Sequence, residues 1–338
     1  MSAGGFAPAL TFSAFASEAA IAASAGSGGR LEGGVLDPSW PPPRPIDVLV
    51  PEAQGGHANS LCKALDPRLK AAFALSVNYR YRTDAVPADL LQEFSRASLD
   101  GASLAYVDNR ALVVDGYLNP GAHFSANDLQ PVTWLGVRPL IVCTNRRVIA
   151  KGLREVFAGA SERPGIVTFA SSGRGSAGHL AGQAMCYAAG VEMLHVPYAS
   201  DREAIVAAVA NEVQLILLDP VLAVPEIRAR RLRPLAVTSA APLEALSEIR
   251  TAASQGLKGF EVVQWAGFAA PKGVPATIIN KMHRVLNRAI EDHDTQHDLA
   301  KAWWQPVGEG PQAFGAMIKA ENERWGGLLK RMGLVRGS

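Results

Sequence analysis

The stretch Ile166-Val167-Thr168-Phe169-Ala170-Ser171-Ser172-Gly173-Arg174-Gly175-Ser176-Ala177-Gly178-His179-Leu180-Ala181-Gly182 decides how this chain is read. Strand-forming residues from Ile166 to Ala170 run into a glycine and serine turn, and a helical pattern follows from Ser176 to Ala189. Gly173, Gly175 and Gly178 spell G-x-G-x-x-G between a strand and a helix, the setting in which a dinucleotide fingerprint occurs. That reading also requires an acidic residue at the end of the next strand. The strand ends near Val196 and Pro197, and Asp201 falls on the following helix, so the ribose contact is unsupported. What the turn does supply is three hydroxyls, Ser171, Ser172 and Ser176, at a helix start where free N–H groups and the helix dipole favour an anion. An ordinary turn capped by Ser176 explains the glycines but not the three hydroxyls.

Outward from this stretch, strands and helices alternate in both directions. Arg163, Pro164 and Gly165 break the chain just before it, so a second α/β unit starts here. Upstream, strands are expected at Ile46 to Val50, Ala74 to Tyr79, Ser103 to Val107 and Trp134 to Thr144, with helices through Leu61, Ala64 and Leu65 and over Ala88 to Ala97. Downstream, strands are expected at Glu192 to Val196, Val213 to Leu218, Pro234 to Thr238 and Phe260 to Ala269. Helices are expected at Pro275 to Ala289, Pro311 to Leu329 and Asp201 to Ala210, the last with Ile205, Val206 and Val209 as its apolar stripe. The alternation predicts mostly parallel sheets flanked by helices. The first strand leads into Gln54, Gly55, Gly56, His57, Ala58 and Asn59, a second glycine turn against a helix start.

The bulk numbers agree with two α/β units. A chain of 338 residues with 48% hydrophobic content buries a sizeable core and leaves room for two domains. Lys and Arg number 33 against 31 acidic residues, a net charge of +2, and the basic residues are scattered, so neither nucleic acid nor a membrane surface is indicated as a partner. Cys62, Cys143 and Cys186 lie far apart without Cys-x-x-Cys spacing, which argues against a zinc site or a disulfide framework. Residues 1–40 read as a leader: Met1 to Gly29 hold a single charged residue, Glu18, among Ala, Gly and Ser. A secretory signal explains the Ala-rich run but lacks the usual basic start, and a disordered leader or mis-set start is the alternative. Pro41, Pro42, Pro43 and Pro45 close it, and folded structure is expected from Ile46.

Signs of catalysis are thin. Ser171 and His179 share a loop and helix start, yet no carboxylate is set to orient the histidine. His293 and His297 stand four apart, but the glutamate of H-E-x-x-H is missing, and a solvated helix surface explains them. His57 reads as a solvated turn residue. Trp303, Trp304 and Trp325 cluster at helix ends as core or docking aromatics. No catalytic residue, metal site or cofactor is assigned.

The run Ala170 to Gly182 resembles the signature loop and helix of the Bug family, the TctC-like receptors of tripartite tricarboxylate transporters. His195-Val196-Pro197-Tyr198 resembles the family's H-V-P-Y strand end, Leu235 to Ser239 its L-A-V-T-S, and Trp265 to Pro271 with Gly273 its crossover strand. The similarity is nearly continuous from Pro164 to Leu334. Nearer the start, the family's P-F-P-P-G-G and following Asp appear as Pro51, Glu52, Ala53, Gln54, Gly55, Gly56 and Asn59.

The resemblance implies a two-lobed α/β periplasmic-binding-protein-like fold, with lobe 1 formed by 44–148 plus 266–338 and lobe 2 by 149–265. It implies an extracytoplasmic, monomeric receptor that closes on a small carboxylate and delivers it to membrane transporter subunits. Carried over by position, the ligand contacts are Glu52, Gln54, Gly55, Gly56 and His57; Val107, Asp108 and Asn109; Ser171, Ser172, Gly173, Arg174, Gly175 and Ser176; and Tyr198 and Asp219. The carboxylate is expected against the helix starting at Ser176, on Ser171, Ser172 and the amides of Gly173 to Ser176. Glu52 and Asp108 put negative charge where the family has apolar or hydroxyl residues, and Arg174 either offsets it or faces solvent. The alternatives are a nucleotide-dependent enzyme using Gly173 to Gly178 and a cytosolic ligand-sensing module on the same fold.

Overall fold

Most strands in this chain are four to six residues long, and helices cover them. The structure, a computed structural model, describes residues 40–41, 44–73, 76–118 and 125–335. The leader therefore lies, apart from its last residue, outside the described residues, as does the expected strand start at Ala74. Two compact units divide the rest: one is Pro139–Val263, the other takes the residues up to Arg138 and from Gln264 onward.

The second of these units is built on β1 (Ile46–Val50), whose residues Ile46, Val48 and Val50 are fully buried. Such a strand belongs in the middle of a sheet covered on both faces. It pairs in parallel with β2 (Val77–Tyr81) and β3 (Ser103–Asp108). Helix α1 (His57–Phe73) buries Ala58, Leu61, Cys62, Leu65, Leu69 and Phe73, the spacing of one helix face. Helix α2 (Pro87–Phe94) follows β2, and a π-helical turn, Arg110–Val114, leads into α3 (Asp115–Leu118). The strand expected over Trp134 to Thr144 is two elements, β4 (Leu129–Pro139) and β5 (Ile141–Asn145), which lie in different sheets.

In the first unit β5 sits between β8 (Leu215–Leu218) and β9 (Leu232–Val237), antiparallel to both. A parallel trio is made by β6 (Thr168–Ser171), β7 (Leu194–Pro197) and β8. The sheet order is β7-β6-β8-β5-β9. The covering helices are α4 (Leu153–Glu162), α5 (Ala177–Ala189), α6 (Asp201–Ala210) and α7 (Pro220–Arg228). Thr238 is fully buried just past β9: its hydroxyl accepts from Leu140 N at 2.8 Å and donates to Val262 O at 2.6 Å, tying together both ends of the unit.

The chain then returns to the β1 unit through β10 (Val263–Pro271), antiparallel to β3, followed by α8 (Ala276–Glu291), α9 (His293–Lys301), β11 (Gln305–Glu309) and α10 (Pro311–Arg331). Its sheet order is β11-β4-β10-β3-β1-β2. Both sheets are thus mixed: the parallel strands expected from the alternation form one side of each, β3-β1-β2 and β7-β6-β8, and the other side holds antiparallel pairs. Another departure concerns α6, whose buried face is Ala204, Ala207 and Ala208, while Val206 is 63% exposed. Alanine forms the fully buried face of this helix, Ile205 and Val209 are half-buried, and Val206 alone of the expected stripe is turned outward.

Phe314 of α10 lies edge-on to Trp265 at 5.7 Å and stacks on Trp134 at 6.5 Å, a packing that requires Gly267 between them. A Cβ at Gly267 would stand 2.2 Å from Phe314 Cζ and 2.8 Å from the Thr133 carbonyl oxygen. Gly267→Ala is expected to cost about 1–3 kcal/mol, read as a lower urea midpoint with unchanged slope. A midpoint equal to that of the unchanged protein would show that this junction is loose.

Candidate functional site

The parallel strands end in turns whose helices begin with amide groups that no turn of helix can satisfy, and the two units deal with those amides differently. In the turn from β6 to α5 the bonds are local. Gly173 and Gly175 hold φ of +108° and +81°, a region that favours glycine. The Ser176 amide donates to Gly173 O at 3.3 Å, the Gly175 amide to His179 Nδ1 at 3.0 Å, and the His179 amide to Ser176 Oγ at 3.3 Å. Ser176 is therefore the cap of α5. The amides of Ala177 and Gly178 occupy the first turn, where the helix provides no acceptor. Gly178 has its own reason to be glycine: a Cβ there would stand 2.7 Å from Leu217 O.

Ser171 is 1% exposed, and both partners of its hydroxyl lie inside the chain: Gly173 O at 3.0 Å and His195 Nε2 at 2.7 Å. Ser171 and the amides of Gly175 and Ser176, expected to hold a carboxylate, each have a partner within the chain. Ser172 is half-buried and Arg174 is exposed. The Tyr198 amide donates to Ser171 O at 2.9 Å, which holds that strand end against the turn. Asp219 is buried and caps α7 through Val221 N at 2.9 Å, a structural task.

In the β1 unit the same kind of turn is filled by carboxylates. Gln54, Gly55 and His57 are exposed and Glu52 is half-buried. The Ala58 amide donates to Glu52 Oε1, and the Asn59 amide also supports that carboxylate. Burial nonetheless holds the Glu52 carboxyl above the usual carboxylate range, and the nearby Asp108 adds to the rise against the pull of His57. Asp108 ends β3 and accepts from Ala111 N at 2.8 Å; burial raises its carboxyl too, against that amide and Arg110. Val107 is fully buried in the sheet, so its side chain contributes packing, and Asn109 precedes the π-helical turn.

Arg138 is a residue the sequence reading passed over. It is 1% exposed, its guanidinium lies 4.5 Å from the centre of the Trp304 ring, and it donates to Ala302 O and to His57 Nδ1. An accepting Nδ1 puts the imidazole proton on Nε2. A lone cation inside the apolar run Trp134 to Ile141 was the signal. His195, in the strand end His195-Val196-Pro197-Tyr198, partners Ser171 across 24 residues, a pairing that no local pattern signals.

His293 and His297 are exposed, and among the described residues no group of three His, Cys, Asp or Glu could hold a metal. The three cysteines are free and buried, and burial pushes every thiol up, so none is a ready thiolate. His179 and His195 stack at 4.1 Å, and burial holds each imidazole down at about 4, aided by Arg174.

Below pH 6.5 the unfolded chain protonates these two rings while the folded protein keeps them neutral until about pH 4. Stability attributable to them is therefore lost as pH falls through that window. His195→Gln is expected to lose less stability over the same window in urea titrations. Equal pH slopes for the two proteins would rule out a buried neutral His195.

A family model described as "Tripartite tricarboxylate transporter family receptor" matches residues 83–334. A Pseudomonas sp. (strain P51) protein, the UPF0065 protein in the tcbD-tcbE intergenic region, is 29% identical over 293 residues, 85% of this chain and 86% of its own. BugT of Bordetella pertussis is 27% identical over 294 residues, 86% of this chain and 90% of its own. Among solved structures, R. palustris Rpa4515 with adipate superposes with a TM-score of 0.74 at 23% identity, over 87% of this chain and 99% of that one.

Proposed function

Because this chain belongs to the tripartite tricarboxylate transporter receptor family, we propose that it is a solute-binding protein that captures a small carboxylate and delivers it to membrane subunits of a transporter. The observation that carries this reading is the turn Ser172 to Gly178. There the half-buried Ser172 and the exposed Arg174 precede the first turn of α5, whose amides the helix itself cannot satisfy. An anion at that helix start gains donors and a favourable dipole at once. The adipate bound by the R. palustris neighbour suggests the ligand class for this chain.

The same geometry favours capture over catalysis. The Ser171 hydroxyl is buried and turned to partners within the chain, Gly173 O and His195 of β7. All three glycines of the G-x-G-x-x-G pattern have structural duties, two in positive φ and one in close packing, so a nucleotide is not needed to explain them. Among the described residues no helix is long and apolar enough to cross a membrane. On this reading the receptor works in the periplasm, and cell fractionation that left it in the cytoplasm would favour the sensing module instead.

A panel of small mono- and dicarboxylates in thermal melts is the test. At about 100 times Kd a true ligand adds about 2.7 kcal/mol of stability and raises the melting temperature accordingly. Ser172→Ala should weaken that ligand by about 1 kcal/mol, measured by calorimetry. If no carboxylate raises the melting temperature, the receptor reading fails.

A further inference from the structure

The turn from β6 to α5 is held by a side chain as well as by its cap. His179, in the first turn of α5, bonds the turn twice: its amide donates to Ser176 Oγ at 3.3 Å, and its Nδ1 accepts the Gly175 amide at 3.0 Å. The Gly173 carbonyl gathers the other bonds, from the hydroxyls of Ser171 and Ser176 at 3.0 and 2.8 Å and from the Ser176 amide at 3.3 Å. Gly175 stands between these two sets at φ of +81°, and a glycine pays the largest entropy to stay in one conformation. Its bond to His179 therefore fixes the path of the chain between Ser172 and the cap.

The bond to Gly175 exists in one protonation state only. A nitrogen that accepts an amide proton carries none itself, so the neutral His179 ring holds its proton on Nε2. His195 is placed the other way round: Ser171 donates to Gly173 O, so the 2.7 Å contact at His195 Nε2 is made by the ring's own N–H. A proton added to His195 goes to Nδ1 and leaves that contact standing. A proton added to His179 goes to the accepting nitrogen and sets two donors against each other at Gly175. His179 is 2% exposed, and the charged and titratable groups that act on its ring are His195 of β7 and Arg174 of the turn. Strands β6 and β8, on which α5 packs, carry no titratable side chain. Burial, with His195 and Arg174, holds the ring down at about 4, so it stays an acceptor through the neutral range.

We propose that His179 is a positioning residue for ligand capture: its neutral ring holds the Gly175 amide, and with it the turn that presents Ser172 and the first-turn amides of α5, and a proton on Nδ1 releases that turn. The residue touches no ligand. It acts by ordering two glycines before the anion arrives, so that their entropy is not lost on binding. The inference rests on the reading of this chain as a carboxylate receptor that uses this turn.

Two measurements on the full chain test this. In the unchanged protein, without ligand, NMR of the Gly175 amide and of the His179 ring should show the amide signal moving together with ring protonation as pH falls toward about 4. His179→Asn, whose oxygen can take the place of Nδ1 and does not titrate, should leave the Gly175 amide flat over the same range. The panel of small mono- and dicarboxylates, followed by calorimetry near pH 7 where both rings are neutral, supplies the second measurement. His179→Leu should bind the best member at least about tenfold more weakly than the unchanged protein, and His179→Asn should recover most of that loss. A Gly175 amide indifferent to ring protonation overturns the inference, and that result needs no variant to fold. So does a Leu variant that binds as tightly as the unchanged protein, or an Asn variant no better than Leu, since the loss would then come from packing. If no carboxylate binds the unchanged protein while Gly175 still follows the ring, the receptor reading fails and the role in capture falls with it.

Discussion

A helix that begins at the end of a parallel strand exposes amide hydrogens it cannot use, and in this protein the choice of acceptor for them governs what each strand-end loop can do. In the turn after β6 the acceptors are neutral: a serine hydroxyl, an imidazole nitrogen and a backbone carbonyl. In the turns after β1 and β3 they are the carboxylates of Glu52 and Asp108. The backbone solution is the same in both units, and the acceptors differ in charge.

The turns keep their shape because the elements behind them approach closely. Gly178 lets α5 rest on the Leu217 carbonyl, and Gly182 accommodates the Phe169 ring, where a Cβ would come within 2.3 Å. Both contacts fix the helix whose first turn the ligand is proposed to use. His179 and His195 pack against each other by the turn as neutral rings, which spares this loop a buried cation but leaves its stability dependent on pH. In the β1 unit Arg138 plays the comparable supporting part, pinned between Trp304 and His57.

The interactions that set the chemistry of the two loops differ in reach. Caps such as Ser176 to His179 or Asp108 to Ala111 span three residues, so residue type and spacing already imply them. Arg138 and His57 are 81 residues apart and meet only because β4 belongs to the same sheet as β1. No local pattern connects them. The same limit explains why Trp134 to Thr144 looked like one strand: its apolar content is continuous, and only the pairing partners divide it at Leu140 between two sheets.

By itself the sequence determined the alternation of strand, glycine turn and helix and the two-unit α/β plan, because periodicity and turn chemistry act within a few residues. It also marked Glu52 and Asp108 as unusual. Tertiary structure alone decided that Ser171 faces inward to His195, that α6 buries alanines while Val206 looks out, and that Glu52 occupies the amides of its own helix. Those outcomes depend on which surfaces meet across the sheet and on where a side chain finds its acceptor, and neither is encoded in the spacing of residues along the chain.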